Sequence, residues 1–175
     1  MLDATLVFLV RENQILLGYK KRGFAQGKLN GFGGKIEDGE SIESAAAREL
    51  REECGVVVLP ADLKPVAHLD FYFPAKPEWN QVVHAFIAEQ WRGEPVETDE
   101  MKPVWFSVDA IPFDRMWADD EHWLPLVLQG KRVQAAFTFE DDNETVADAR
   151  IRIVQYNMIT IRDKSVSCAL FLHSF

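Results

Sequence analysis

The sequence predicts an α+β fold in which two main helices flank a mixed central β-sheet, as in an α/β/α sandwich. Short runs of β-branched and aromatic residues recur between turn residues, whereas only two segments combine helix-forming residues with helix-end signals. The chain has 175 residues, and its 47% apolar content is ordinary for a globular protein. We therefore predict one domain over residues 1–154, followed by a C-terminal extension, residues 155–175, whose pattern indicates no particular element.

The N-terminal segment predicts a β-hairpin. Residues 4–10 and 14–19 are rich in apolar and β-branched residues, and the polar residues 11–13 lie between them. Residues 20–23 then read Lys-Lys-Arg-Gly. This basic cluster is consistent with a solvated loop or with a phosphate contact, because it directly precedes a glycine-rich segment.

The first helix is predicted between Ser41, a suitable N-cap, and Gly55, which can end a helix in a left-handed conformation. Glu49, Glu52 and Glu53 are spaced i, i+3 and i+4, so their carboxylates share one face. Like charges at this spacing repel one another, and a hard divalent cation such as Mg²⁺ or Mn²⁺ would offset the repulsion. The alternative is a solvated acidic face whose glutamates pair with neighbouring arginines.

The rest of the chain predicts further strands and a second helix. The downstream strands are residues 56–59, 66–73, 81–88, 104–108, 131–140 and 145–154. We predict that the strands at 66–73 and 81–88 form an antiparallel pair, and that those at 131–140 and 145–154 form a closing hairpin. Asp119 or Asp120 can cap a helix that runs to about Gln129, with Pro125 near its start or kinking it.

Composition narrows the function classes. The net charge of -9, with no basic stripe, argues against a surface that coats nucleic acid. Two cysteines do not make a disulfide framework, which favours a reducing compartment. We see neither a basic leader with a long apolar run nor a stretch of membrane-span length. We therefore predict a cytoplasmic protein that needs neither nucleic acid nor a membrane, with the mitochondrial matrix and the nucleus as alternative locations.

A motif of fixed spacing covers residues 34–56. Glu40 follows Gly34 after five intervening residues, and Arg48 follows Glu40 after seven. The remaining specified residues are Glu49, Leu50, Glu52, Glu53, Gly55 and Val56. This unbroken pattern resembles the Nudix box, the signature of the Nudix hydrolases, which cleave a nucleoside diphosphate linked to another group.

The resemblance implies a Nudix-type sandwich and catalysis with Mg²⁺ or Mn²⁺. It implies a metal site formed by Glu49, Glu52, Glu53 and the carbonyl group of Gly33. Glu53 is the first choice for positioning or deprotonating the attacking water, whereas Arg48 is expected to orient the glutamates.

Segments outside the box resemble one branch of this family, the mammalian-type oxidised purine nucleoside triphosphatases, which are relatives of MutT. These segments are GYKKRGF, NGFGGK, GEPVETDEMKPVWF and MWADDEHWLPLVLQGK, and the similarity covers about residues 5–154. The resemblance implies a monomeric pyrophosphohydrolase that converts 8-oxo-dGTP and 2-hydroxy-dATP to the monophosphate and pyrophosphate. Such a reaction would remove damaged nucleotides from the nucleotide pool and so protect DNA. The implied substrate-binding residues are Thr5, Lys20, Phe24, Asn30, Phe32, Gly33, Gly34, Lys35, Trp117, Ala118, Asp119 and Asp120, and Glu100 is a further metal-site carboxylate.

The residue types suit recognition of an oxidised purine. Trp117 and Phe24 offer flat aromatic surfaces for a base. Asp119 and Asp120 are adjacent carboxyls, so in an apolar pocket we expect a coupled pair with one raised pKa. The ionised member can accept from the N–H donors of an oxidised guanine while the protonated member donates to its carbonyl oxygen. The alternative is that both aspartates serve only to cap a helix.

Two other functions stay open from the sequence alone. One is a Nudix hydrolase of another nucleotide, such as a methylated purine nucleotide, ADP-ribose or a capped RNA. The other is a non-catalytic binding module with the same fold. Two departures from the branch pattern also bear on the pocket: Leu29 stands where an aromatic residue is usual, and Ala118 stands where a proline is usual.

Overall fold

The computed structural model describes residues 1–154, so the predicted extension lies outside the described residues. The strands are β1 (Leu2–Arg11), β2 (Gln14–Lys20), β3 (Leu29–Asn30), β4 (Lys64–Tyr72), β5 (Gln81–Ala88), β6 (Met101–Ser107), β7 (Arg132–Phe139) and β8 (Val146–Val154). The α-helices are α1 (Ile42–Cys54) and α2 (Asp120–Leu128). In this part of the chain, no helix has the length and apolar character needed to cross a membrane.

The strands form one mixed eight-stranded sheet. Its order is β3-β2-β1-β5-β4-β7-β8, and β6 pairs with β2 outside this order. β1 runs parallel to β5 and β4 runs parallel to β7, whereas the other pairs are antiparallel. The predicted β1–β2 hairpin, the antiparallel β4–β5 pair and the closing β7–β8 hairpin are confirmed.

The two helices pack on opposite faces of the sheet because the side chains of each strand alternate. In β1, Val7 and Leu9 pack in one core with Leu50 of α1. Phe8 points into the other core, where its ring centroid lies 5.9 Å from that of Trp123 in α2. The predicted arrangement of two helices around a mixed sheet is therefore confirmed.

Helix α1 has the predicted ends. Ser41 Oγ accepts a hydrogen bond from the Ser44 N–H at 3.2 Å, and Gly55 closes the helix with a φ of 76°. The side chains of Leu50 and Cys54, two residues of this helix, are fully buried. Burial raises the pKa of the Cys54 thiol to about 11, so this side chain is an unreactive part of the core at neutral pH.

Three local features differ from the sequence predictions. Residues 56–59 do not form a strand, because a single bridge joins Val57 to Arg92 and a 3-10 helix follows at Pro60. The short strand β3 has too few residues to produce a sequence signal. Helix α2 begins where expected, but Asp119 precedes it in a right-handed helical conformation and makes no side-chain cap hydrogen bond.

Candidate active site

One cleft runs from the glutamate face of α1 to the loop before α2. It encloses about 920 Å³, a volume suited to a ligand of nucleotide size. Its acidic end is lined by Glu49, Glu52, Glu53 and Glu100. Its aromatic end is lined by Phe24, Phe73, Trp79, Trp117, Asp119, Asp120 and Phe139. The cleft therefore combines two chemically different ends in one continuous space.

Two glycines allow the close packing of the acidic end. A Cβ on Gly33 would lie 2.0 Å from the carbonyl oxygen of Thr5, so the loop before α1 lies directly against β1. A Cβ on Gly34 would lie 2.6 Å from Cδ of Glu49. Neither glycine has a positive φ, so the absent side chain rather than unusual backbone geometry is what these positions require.

Glu53 is the most enclosed carboxylate of the acidic end, with only 4% of its side chain exposed. Its Oε1 accepts from Lys20 Nζ at 2.7 Å, and its Oε2 accepts from the Gly33 N–H at 2.8 Å. Burial raises the pKa of Glu53, although the Lys20 ammonium opposes this shift. The same ammonium donates to Glu100 Oε1 at 2.6 Å. Burial lowers the pKa of Lys20, but its two carboxylate partners outweigh this effect and raise it overall.

Arg48 organises the other side of the acidic end. Its guanidinium contacts Glu40 Oε2 at 2.9 Å and Glu49 Oε1 at 2.7 Å, and it also donates to the Lys35 carbonyl oxygen at 3.0 Å. A longer contact of 3.4 Å reaches Glu52. Hydrogen bonds from Arg48 lower the pKa of Glu40. Arg48 therefore links the loop before α1 to the glutamate face of the helix, as expected for an orienting residue.

The donor set of the acidic end suits a hard cation, because the available ligands are carboxylate and backbone carbonyl oxygens. Within residues 1–154, no three acidic, histidine or cysteine side chains are already gathered around one point as a preformed cation site. Lys20 pairs with Glu53 and Glu100, and Arg48 pairs with Glu49. The ligand chemistry fits a divalent ion, and the present partners of the carboxylates are protein cations.

The aromatic end is built around Trp117. Phe24 stacks on it, with ring centroids 5.4 Å apart and an interplanar angle of 22°. Lys28 Nζ lies 4.8 Å from the centroid of the Trp117 ring. Trp79 meets Phe24 edge-on at 5.1 Å. Because Phe24 is 45% exposed, it forms the solvent-facing wall of this end rather than part of the core.

Asp119 and Asp120 lie beside Trp117 and are 3% and 2% exposed, respectively. Asp119 Oδ2 accepts from the indole N–H of Trp123 at 3.0 Å, and Asp120 Oδ2 accepts from the backbone N–H of Trp117 at 3.2 Å. Burial raises the pKa of Asp119 to about 7. Burial and the neighbouring Asp119 charge raise the pKa of Asp120 well above its ordinary value. The cleft therefore contains two buried carboxyl groups whose protonated forms are favoured by burial.

Comparison with protein families identifies the motif. Residues 2–127 match the model of the NUDIX domain. The chain belongs to the Nudix family. The family predicted from residues 34–56 is thus confirmed, and Nudix hydrolases generally use divalent metal ions.

Two Nudix relatives cover most of the chain. A zebrafish (Danio rerio) protein described as an oxidized purine nucleoside triphosphate hydrolase is 51% identical over 136 residues, which make up 78% of this chain and 85% of the relative. A mouse (Mus musculus) protein with the same description is 45% identical over 150 residues, covering 86% and 94% of the two chains. Among solved structures, a MutT protein from Bacillus halodurans has a TM-score of 0.75 at 26% identity and covers 86% of this chain and 97% of its own.

Most of the substrate-binding residues predicted from the Nudix resemblance line the cleft: Thr5, Lys20, Phe24, Asn30, Gly33, Gly34, Lys35, Trp117, Asp119 and Asp120. Phe32 does not fit the predicted contact, because its side chain is fully buried and its backbone pairs with Val7. Ala118 is half-buried next to Trp117 and is not part of the cleft wall. The predicted metal-site carboxylates all line the acidic end.

Several cleft residues were not predicted from the sequence. Phe73, Trp79 and Phe139 complete the aromatic end, and Phe73 stacks on Phe139 with ring centroids 4.6 Å apart. These residues come from the loop after β4 and the end of β7, so no local motif connects them. Trp123 was also missed as the partner of Asp119, although its i+4 position next to a predicted helix start was a usable signal.

Proposed function

We propose that the protein hydrolyses oxidised purine nucleoside triphosphates, such as 8-oxo-dGTP and 2-hydroxy-dATP, to the monophosphate and pyrophosphate with Mg²⁺. The observation that carries this proposal is the buried pair Asp119 and Asp120 in the cleft that also contains the glutamate face of α1. The descriptions of the zebrafish and mouse relatives support the same substrate class. The reaction would remove damaged nucleotides before a polymerase could incorporate them.

Base recognition is assigned to the aromatic end. Trp117 offers a flat face to the purine, and stacking of a base on an aromatic side chain contributes about 1–3 kcal/mol. The protonated carboxyl of the pair can donate to a carbonyl oxygen of the base, while the ionised carboxyl accepts from its N–H groups. Because either Asp119 or Asp120 can carry the proton, the same pocket can serve an oxidised guanine and an oxidised adenine.

Phosphate chemistry is assigned to the acidic end. The residues that would hold the Mg²⁺, or Mn²⁺ in its place, are Glu49, Glu52, Glu53, Glu100 and the Gly33 carbonyl group. When bound, a divalent ion neutralises phosphate oxygens and makes an attached water more acidic. Arg48 keeps the Glu49 carboxylate next to the loop backbone through its 2.7 Å contact.

Glu53 is the residue to which we assign the attacking water. Its carboxylate is enclosed, and burial raises its pKa, so it is a better proton acceptor than an exposed glutamate. The Gly33 N–H holds Oε2 in a fixed direction. When this carboxylate takes a proton from the water, the water oxygen bonds to a phosphorus atom of the anhydride between the α- and β-phosphates. The bridging P–O bond breaks, which yields the monophosphate and pyrophosphate.

The proposal includes residues 1–154 as the catalytic domain. The family resemblance implies a monomer, and the cysteine content of the sequence favours a cytoplasmic location. Light scattering coupled to size-exclusion chromatography tests the monomer, and a fluorescent fusion tests the location.

The central experiment compares kcat/KM for 8-oxo-dGTP and dGTP in Mg²⁺ and after chelation. We expect at least about tenfold preference for the oxidised nucleotide, because a contact to the altered base edge contributes about 1–2 kcal/mol. Chelation is expected to abolish hydrolysis of both nucleotides. A smaller preference contradicts the assigned substrate, and faster hydrolysis of ADP-ribose, a methylated purine nucleotide or a capped RNA would identify a different Nudix substrate. Absence of hydrolysis across this panel would indicate a binding module.

A further inference from the structure

Lys20 occupies an unusual place in the acidic end of the cleft. Its Nζ lies between two carboxylates, 2.7 Å from Glu53 Oε1 and 2.6 Å from Glu100 Oε1. Only 14% of the Lys20 side chain is exposed, so the ammonium group is largely withdrawn from water. A single protein cation thus bridges two of the oxygen donors that we assign to the divalent ion.

The distribution of charge explains why a cation is needed there. Arg48 is engaged by Glu40, Glu49 and Glu52 at the other side of the acidic end. Glu53 is 4% exposed, and an uncompensated buried carboxylate is costly. Lys20 supplies the positive charge that Glu53 and Glu100 share.

The same position creates a conflict when a divalent ion arrives. An ion that binds Glu53 and Glu100 would meet the Lys20 ammonium at contact distance, and like charges that close repel strongly. The Lys20 side chain also lines the open cleft, so its flexible stem can carry the ammonium away from the carboxylates into that space.

We propose that Lys20 is an internal counter-ion that occupies the divalent-cation position of the metal-free protein and leaves it when the ion binds. This inference rests on the proposed metal site. It makes Lys20 a positioning residue with two opposed effects: it stabilises the acidic end without metal, and it weakens the intrinsic affinity of that end for metal.

The test measures Mn²⁺ binding by electron paramagnetic resonance, without nucleotide, for the wild type, Lys20→Met and Lys21→Met. Lys21 is the matched control: it is the next residue, its loss changes the net charge equally, and its Nζ binds Glu97 and the Thr98 carbonyl oxygen instead of the cleft carboxylates. Lys20→Met is expected to bind Mn²⁺ about tenfold more tightly than the wild type, as removal of a unit charge at this range predicts. Lys21→Met is expected to stay within about threefold of the wild type, because its charge is exposed and screened.

A second pair of measurements examines the metal-free state. In EDTA, Lys20→Met should melt at a lower temperature than Lys21→Met. Saturating Mn²⁺ should raise the Tm of Lys20→Met by more than it raises the Tm of Lys21→Met.

An NMR measurement follows the Lys20 ammonium in the wild type, where its signal is assigned from its loss in Lys20→Arg. The ammonium should be protected from exchange with water in EDTA and should lose that protection in Mg²⁺. The Lys21 ammonium is an internal reference. This spectrum needs no folded Lys20→Met protein.

The outcomes separate this inference from the proposed function. If the wild type binds no Mn²⁺, the metal site itself is wrong and the inference falls with it. If the wild type binds Mn²⁺ but Lys20→Met binds it no more tightly than Lys21→Met does, only the counter-ion role is overturned. A Lys20 ammonium that keeps its protection in saturating Mg²⁺ overturns that role in the same way.

Discussion

Asp119 and Asp120 are adjacent in sequence, yet their carboxyl groups accept from different donors. Asp119 accepts from the Trp123 indole and Asp120 from the Trp117 backbone, and both donors are uncharged. Neutral hydrogen bonds compensate only part of the cost of burying a carboxylate. Burial therefore dominates, and the pKa of each carboxyl is raised.

Replacing one member of this pair tests its role in base recognition. Asp119→Asn removes the group that can switch between donor and acceptor, so we expect kcat/KM for 8-oxo-dGTP to fall by about tenfold to a hundredfold, the effect of one or two lost polar contacts. The affinity for Mn²⁺ should change little, because Asp119 lies at the other end of the cleft. Asp114→Asn, an exposed change in the preceding 3-10 helix, is the control. Unchanged kcat/KM in Asp119→Asn would contradict the pocket assignment.

At the acidic end, the corresponding test is Glu53→Gln. This change keeps the shape of the side chain and removes its capacity to take a proton, so kcat should fall by about 10²- to 10⁴-fold. Glu43→Gln in the exposed first turn of α1 is the matched control. Circular dichroism of both variants checks that the fold persists. Comparable kcat values for the two variants would show that Glu53 does not act on the water.

Helix α1 packs against the loop before it, and the neighbouring glycines Gly33 and Gly34 allow two different close contacts there. The atoms nearest to a Cβ on Gly34 belong to the end of the flexible Glu49 side chain, whereas those nearest to a Cβ on Gly33 belong to the backbone of β1. The first clash can be relieved by a side-chain rotation, but the second requires the loop or the strand to move.

The matched substitutions Gly34→Ala and Gly33→Ala should therefore fail in different ways. Gly34→Ala is expected to keep nearly wild-type stability while its Mn²⁺ affinity falls by about tenfold, since Glu49 can no longer lie against the loop. Gly33→Ala is expected to lose about 2 kcal/mol or more of unfolding free energy, because the clash involves backbone atoms. Urea unfolding and Mn²⁺ titration measure the two effects. Equal losses of stability would contradict the different roles of the two positions.

The elements differ in how well the sequence predicts them, and the range of the interactions explains why. Ser41, Gly55 and the three glutamates of α1 lie within a few turns of one another, so capping and periodicity identified both the helix and its acidic face. Residues 56–59 have strand-like composition but find only one backbone bridge. Phe73 and Phe139 of the aromatic end escaped prediction because they meet only through the parallel pairing of β4 with β7, which no short motif specifies.

At the scale of the whole molecule, the cleft is lined by residues from elements on both faces of the sheet. Glu53 belongs to α1 on one face, and Asp120 begins α2 on the other. The buried carboxyls at both ends have raised pKa values. A fold that buries such carboxyl groups gives up part of its stability in the pH range where they must ionise.

The pH dependence of stability should reveal this cost. A carboxyl whose folded-state pKa is raised contributes stability that is complete below its unfolded pKa, near 4, and is lost as the pH rises through the folded value. For Asp119 that window extends to about pH 7, and the pKa of Asp120 is likewise raised well above its ordinary value. Asn does not titrate, so Asp120→Asn removes one of these contributions while Glu53 and the remaining groups are retained.

We therefore expect the unfolding free energy of Asp120→Asn, relative to the wild type, to increase as the pH rises from 5 to 8. Urea unfolding in EDTA at several pH values measures this difference without any contribution from bound metal. Asp114→Asn, whose carboxyl is exposed, should show a constant difference from the wild type over the same range. A constant difference for Asp120→Asn as well would mean that its carboxyl is not held protonated by burial, and base recognition would then have to rest on Asp119 and stacking against Trp117.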